Sequence, residues 1–202
     1  NDVLLHGAPA TKFRDTWQDT RHRFPAGSLH LRISDNHDEA RAVARFGIQG
    51  ALAAQVLMLT LDGVPLFYNG MEVGDATESG APALFEKLPI FWHPKERPPL
   101  RDIYRDLIRL RRAHDAFTGD QVLWLENSTS NDVVSFLRRG EKEEFLVLIN
   151  FSNRPLRGTV KLDVPGGFEP VTIQGVSGRT MDLLPAFTLN GFEWRLYRRP
   201  IR

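Results

Sequence analysis

"ISDNHDEARAVARFG", residues 33–47, brings an apolar, strand-like approach directly against Asn36-His37-Asp38 and then opens a helix. The run that leads into it, "LHLRIS" (29–34), places Leu29, Leu31 and Ile33 on one face, the period of a half-buried strand. Beyond it, residues 39 to about 61 read as a helix that is apolar nearly all round. Val43, Phe46, Ile48, Leu52, Val56, Leu57 and Leu59 leave no broad polar face, and such a helix expects protein on most sides. Gly63 ends it, and "VPLFYN" (64–69) follows as a second short apolar strand closed by Gly70. Strand, helix and strand with short connections make a βαβ unit, hence a parallel pair covered by helices. The corner at 36–38 then sits at the C-terminal end of a parallel strand, where α/β barrels gather their active-site side chains.

Upstream, "TKFRDTWQDTRHRF" (11–24) predicts an amphipathic helix with Phe13, Trp17 and Phe24 inward, stopped by Pro25 and Gly27. Downstream, a loop rich in Gly, Pro and acids runs from Met71 to about Arg97. "PPLRDIYRDLIRLRRAH" (98–114) then predicts a second amphipathic helix. Pro98 and Pro99 suit its first turn, and Asp102/Arg105 and Asp106/Arg109 can pair along its exposed side. Near Gly119 the period changes to two. "QVLWLE", "VVSFLRR", "EFLVLINF", "RGTVKLDV", "EPVTIQGV" and "FEWRLYRR" are six strand candidates, separated by turn signals such as Arg139-Gly140, Pro165-Gly166-Gly167, Gly175 to Gly178 and Asn190-Gly191. Short strands so punctuated make an antiparallel sandwich or small barrel. The expected division is 1–118 and 119–202.

The bulk numbers exclude several classes. Of 202 residues, 42% are hydrophobic and 25% charged, ordinary values for a globular protein. A net charge of +1 with dispersed arginines offers no field for nucleic acid or anionic lipid. There is no cysteine, hence no disulfide and no thiolate metal site, and no compartment is indicated. The chain opens on Asn1 without a methionine and reads as cut from something longer. The stretch 46–68 is about long enough to span a bilayer. Asp62, Pro65, Gln49 and Gln55 lie inside it, and it reads as a buried helix and strand instead.

Taken alone, "DNHD" leaves three readings open. Asp38 can cap the following helix, it can be a catalytic carboxylate, or His37-Asp38 can be half of a metal site of the metal-dependent phosphohydrolase type. The remaining histidines (6, 22, 30, 93, 114) show no ligand spacing. Arg41 reads as an ion-pair partner at the helix start, Glu72 as a structural residue, and Phe91-Trp92 as a loop anchor.

Context narrows the choice. "NHD" with Arg41 three residues on, the apolar helix, "GVPLFYNGMEVG" (63–74), "LPIFW", the helix "LRDIYRDLIRLRRAH" and a β-rich tail occur in that order. The order resembles the C-terminal part of an α-amylase-type glycoside hydrolase (glycoside hydrolase family 13), over essentially the whole chain. That resemblance implies an α/β remnant of a TIM (β/α)8 barrel, its seventh and eighth strands at 29–34 and 64–69, followed by an all-β antiparallel sandwich domain. It implies that Asp38 is the carboxylate that stabilises the transition state of a retaining glycosidase, that His37 binds the same sugar, and that Asn36 holds the corner. The implied partners are an α-glucan or oligosaccharide substrate and the upstream barrel segment of the same protein.

Two strands do not close an eight-stranded barrel, and the nucleophile and general acid/base that a retaining glycosidase needs belong to earlier strands in this family. No cofactor or metal is expected in this chain, and calcium only in the upstream part. The chain alone is therefore expected to be inactive. The β-domain is expected to fold by itself, and the helix 41–61 and strand 64–69 to lose most of their cover, leaving the barrel part disordered, self-associated or held by the upstream segment. A transglycosylase of the same superfamily fits equally well. A carbohydrate-binding β-module is the second reading and needs Trp124 and Trp194 exposed, whereas the position of Trp194 between Phe192 and Leu196 favours the core.

Overall fold

A computed structural model describes residues 1–77, 87–93, 100–174, 176 and 183–201. The expected turn at Gly175–Gly178, Pro98-Pro99 and much of the 71–97 loop lie wholly or partly outside the described residues. Helix α1 (Thr11–Arg23) is followed by β1 (Leu31–Arg32), α2 (Ala42–Thr60) and β2 (Val64–Pro65). A 3-10 turn (Met71–Val73), α3 (Leu100–Ala113) and the short α4 (Asp115–Thr118) come next. The remaining elements are strands: β3 (Val122–Trp124), β4 (Val133–Arg139), β5 (Glu143–Asn150), β6 (Leu156–Thr159), β7 (Glu169–Pro170), β8 (Ala186–Leu189) and β9 (Trp194–Pro200).

The βαβ reading holds in direction, but its strands are short. β1 and β2 pair in parallel, Leu31 opposite Val64 and Arg32 opposite Pro65. Gly63, at φ 86°, makes the approach possible, since a Cβ there would lie 2.3 Å from the His30 carbonyl oxygen. The helix begins at Ala42, not at 39, and breaks its regular geometry at Gly47. Eleven of its nineteen residues are buried. Its length and composition would suit a membrane span, yet 56% of that window is covered by protein.

What covers α2 was not foreseen. One core unites Leu52, Val56 and Leu57 of α2 and Ile103, Tyr104 and Leu107 of α3 with Val134, Phe136, Val147, Ile149, Trp194 and Leu196 of the strands. Phe13 and Trp17 of α1 pack against the same core. Phe24 does not, because Pro25 drives it into extended geometry past the helix end, where it is exposed. The expected loss of cover therefore misses the helix and falls on the strand pair. Leu29, Leu31 and Val64 stand 73, 56 and 48% exposed.

The antiparallel sheet runs β3-β4-β5-β9-β7, and β6 pairs with β8 in a second sheet. Alternation sorts β4 and β5 cleanly. Val134, Phe136, Val147 and Ile149 face the helices, while Val133, Leu137, Leu146 and Leu148 face Val160, Phe187 and Leu189 on the other side. Four of the six strand candidates shorten, "EFLVLINF" shifts by one residue to form β5, "VVSFLRR" forms β4 as read, and β8 is an addition.

Two arginines join the layers. Arg138 of β4 is fully buried, donating to the carbonyls of Thr60 (2.6 Å), Gly119 (2.6 Å) and Gln121 (3.0 Å). Burial pulls its pKa down to about 10. Arg111 of α3 donates to the carbonyls of Leu59, Leu61 and Gly63 at 2.6–2.8 Å. Between them they satisfy carbonyls that the C-terminus of α2 leaves without helical partners.

Candidate active-site corner

Residues 36–40 form a loop whose two feet are buried and whose tip is open. Asn36 shapes the tip: its Oδ1 accepts the backbone N–H of Asp38 (2.9 Å) and of Glu39 (3.1 Å), an Asx turn. The His37 and Asp38 side chains project outward, 51 and 65% exposed, with Nε2 and Oδ1 3.2 Å apart. The three residues singled out in the sequence are thus brought together. The helix cap is a different residue. Asp38 precedes the first turn by four positions, and Asp35 accepts the N–H of Ala42 at 3.3 Å instead.

The feet are charged and almost fully buried, Asp35 at 2% and Arg41 at 6% exposure. Arg41 Nε donates to Asp35 Oδ2 at 3.1 Å, closing the loop at its base. Its other nitrogens reach the Asn69 carbonyl (2.9 Å) and Asp75 Oδ2 (3.2 Å), and its guanidinium lies 4.9 Å from the Tyr68 ring centroid. Gly70, at φ 88°, leaves room for this arrangement, since a Cβ would sit 3.2 Å from the guanidinium. Tyr68 in turn lies beneath His37, ring centroids 6.4 Å apart. Burial pushes the Asp35 carboxyl above its ordinary pKa, opposed by the Arg41 charge and the Ala42 N–H.

From below, Gln55 ties α2 to both strand ends, meeting the Ser34 hydroxyl and donating to the Leu66 carbonyl at 3.3 Å. Glu72 accepts the Gly70 N–H at 3.0 Å, the structural role expected of it. Phe91 and Trp92 differ from expectation: both are exposed and do not anchor a packed loop. Asp75 and Tyr68 were missed. A Tyr inside an apolar strand and an Asp in an acid-rich loop carry no local signal, and only the fold places them beside Arg41. A cleft of about 1050 Å³ lies away from this corner, between the end of α3 and β5, β7 and β9. Among the described residues no group of three or more His, Asp or Glu side chains could hold a metal ion.

Trp124 and Trp194 do not form an exposed pair. Trp194 is buried in the core, and Trp124 packs edge-on against Trp17 (5.8 Å) and tilted against Phe136 (5.3 Å). A solvent-facing loop thus stands at the end of a parallel strand pair, with antiparallel sheets following in the chain. Comparison with known proteins makes that specific. Residues 124–177 match the family described as alpha amylase, C-terminal all-beta domain. The chain is 31% identical over 139 residues to alpha-amylase 2 of Dictyoglomus thermophilum, covering 63% of this chain and 24% of that protein. A match of that length reaches well upstream of residue 124. The maltogenic alpha-amylase AmyB of Thermotoga neapolitana superposes with TM-score 0.79 at 18% identity, covering all of this chain and 48% of that one. The cyclomaltodextrin glucanotransferase CldA superposes at 0.72 with 21% identity, covering all of this chain and 42% of that one. Residues 124–177 thus resemble the all-β C-terminal domain of alpha amylases, and the similarity of the chain to alpha-amylases extends through the segment before it. It spans about a quarter of the length of that curated relative and about half of the solved structures.

Proposed function

We propose that this chain is the C-terminal section of a retaining glycosidase acting on α-glucans, that residues 1–118 are the end of its (β/α)8 barrel, and that 119–202 are its β-sandwich domain. In this reading Asp38 is the transition-state-stabilising carboxylate, His37 binds the sugar undergoing cleavage, and Asn36 shapes the loop that presents them. The observation that carries it is the open His37–Asp38 pair on a loop whose feet, Asp35 and Arg41, are buried and cross-bonded. A carboxylate held beside a developing oxocarbenium charge stabilises it electrostatically, and sugar-hydroxyl contacts that strengthen in the transition state add several kcal/mol in glycosidases generally.

The nucleophile and general acid/base come from barrel strands upstream, so the 202-residue chain alone is inactive. The upstream segment also supplies the cover that Leu29, Leu31 and Val64 lack, and any calcium belongs to it. Hydrolysis and glycosyl transfer share this carboxylate, and the relatives include both a maltogenic amylase and a glucanotransferase.

The test is starch or maltoheptaose turnover by the full-length gene product, wild type against Asp38→Asn, with the 202-residue chain in parallel. The expected result is a collapse of kcat in the variant with little change in KM, and no turnover by the short chain. Unchanged turnover in the variant sinks the assignment of Asp38, and turnover by the short chain sinks the claim that machinery is missing.

A further inference from the structure

The loop that carries Asn36, His37 and Asp38 is tied at Glu39 to Arg45, which also donates to the Ser34 carbonyl, and is held from beneath through Arg41. Three polar contacts converge on Arg41: Asp35 on the preceding foot (3.1 Å), the Asn69 carbonyl (2.9 Å) and Asp75 beyond the 3-10 turn (3.2 Å). Asp75 is buried like the other two charges, and its Oδ1 also accepts the Thr77 hydroxyl at 2.7 Å. One arginine between two buried carboxylates satisfies a charge arrangement that would be very costly if any member were left alone. The path continues upward, because the Arg41 guanidinium lies against Tyr68 and Tyr68 lies against His37.

We infer that Arg41 and Asp75 are positioning residues for the corner: the Asp75–Arg41–Asp35 relay sets where His37 and Asp38 stand, and couples that position to the segment following β2. The inference rests on the proposed role of the corner, but its geometry is tested without turnover. Both side chains are buried beneath the loop. They act through the loop feet and the Tyr68 ring. A substrate-bearing corner fixed this way responds to any rearrangement of residues 70–77, because Asp75 is the only member of the relay that comes from beyond the 3-10 turn.

The experiment is two-dimensional NMR of the isotope-labelled 202-residue chain, comparing Asp75→Asn, Asp75→Glu and Arg41→Lys with wild type, with thermal unfolding in parallel. Asp102→Asn, on the exposed side of α3, serves as the control. The expected result is displaced and broadened amide signals for 36–40 and displaced His37 ring signals in Asp75→Asn and Arg41→Lys. Asp75→Glu restores them toward wild type, and Asp102→Asn leaves them in place. If Asp75→Asn does not fold, Arg41→Lys, which keeps the charge, decides between the outcomes. Signals for 36–40 that stay at their wild-type positions overturn the inference, whether or not stability falls, because a purely structural relay would lower the unfolding temperature without moving the tip. The Asp38→Asn turnover assay can fail independently of this result, so the two claims are separable.

Discussion

Two apolar stretches lie within about thirty residues of each other, and the fold treats them in opposite ways. The helix 42–60 is buried by α3, α1 and the five-stranded sheet. The strand pair beside it, with Leu29, Leu31 and Val64, faces outward. Hydrophobicity alone does not distinguish them. What differs is where the cover comes from: the helix is roofed mainly by residues that follow it in this chain, whereas nothing among the described residues roofs the strands. A helix whose cover lies later in the same chain thus stays buried, and a strand pair without such cover stands bare.

The most severe way to break this contrast is Arg138→Met. It removes the buried cation that holds Thr60, Gly119 and Gln121, at an expected cost of about 3–5 kcal/mol. Urea unfolding read by helix circular dichroism and by tryptophan fluorescence checks it. Coincident transitions that shift together support one core, and two separate transitions mean that helix and sheet stand independently. Leu57→Ala comes next, at about 2–5 kcal/mol by the same measurement.

Acidification separates the regions by sign. Burial raises the pKa of Glu144, but the hydrogen bonds and charges of Arg139 and Arg199 outweigh it, and the net pKa lies below the ordinary 4.5. Its stabilisation is thus complete above that value and is lost as pH falls through the folded-state pKa. Asp35 runs the other way. Its folded-state pKa lies above the ordinary 3.8, so acidification through that window relieves a cost at the corner. Melting temperature against pH should therefore fall less steeply on the acid side in Glu144→Gln and more steeply in Asp35→Asn. The smallest effect on stability belongs to Leu31→Ser, within about 0.5 kcal/mol. Sedimentation should nevertheless show less self-association, and a large loss of stability there would mean that the strand pair is covered after all.

The sequence made the long-range periodicities legible. The alternation in "VVSFLRR" and "EFLVLINF" sorted both faces of β4 and β5, and the all-round apolar helix was found within three residues at its start. Its actual start depends on Asn36 and on the Asp35–Arg41 pair, which hold 36–40 as a loop. The strand 29–34 was overextended because its apolar spacing continues past the two residues that find a partner. β8, "AFTL" between Pro185 and Asn190, is too short to show a period. Asp38 and His37 were singled out through resemblance, not through local chemistry, which favoured a cap. Arg138 could not be seen at all, since its contact with Thr60 spans 78 residues.

The arginine clamp at the end of α2 makes that helix a lever. Its fulcrum is the sheet, and the segment beyond the Gly47 break, residues 48–60, is about 20 Å long at roughly 1.5 Å per residue. A tilt of roughly 3° at the clamp swings the far end by about 1 Å, the scale of misplacement that can cost an enzyme about a hundredfold in rate. Substitutions deep in the β-sheet would then displace the corner as if they had been made there.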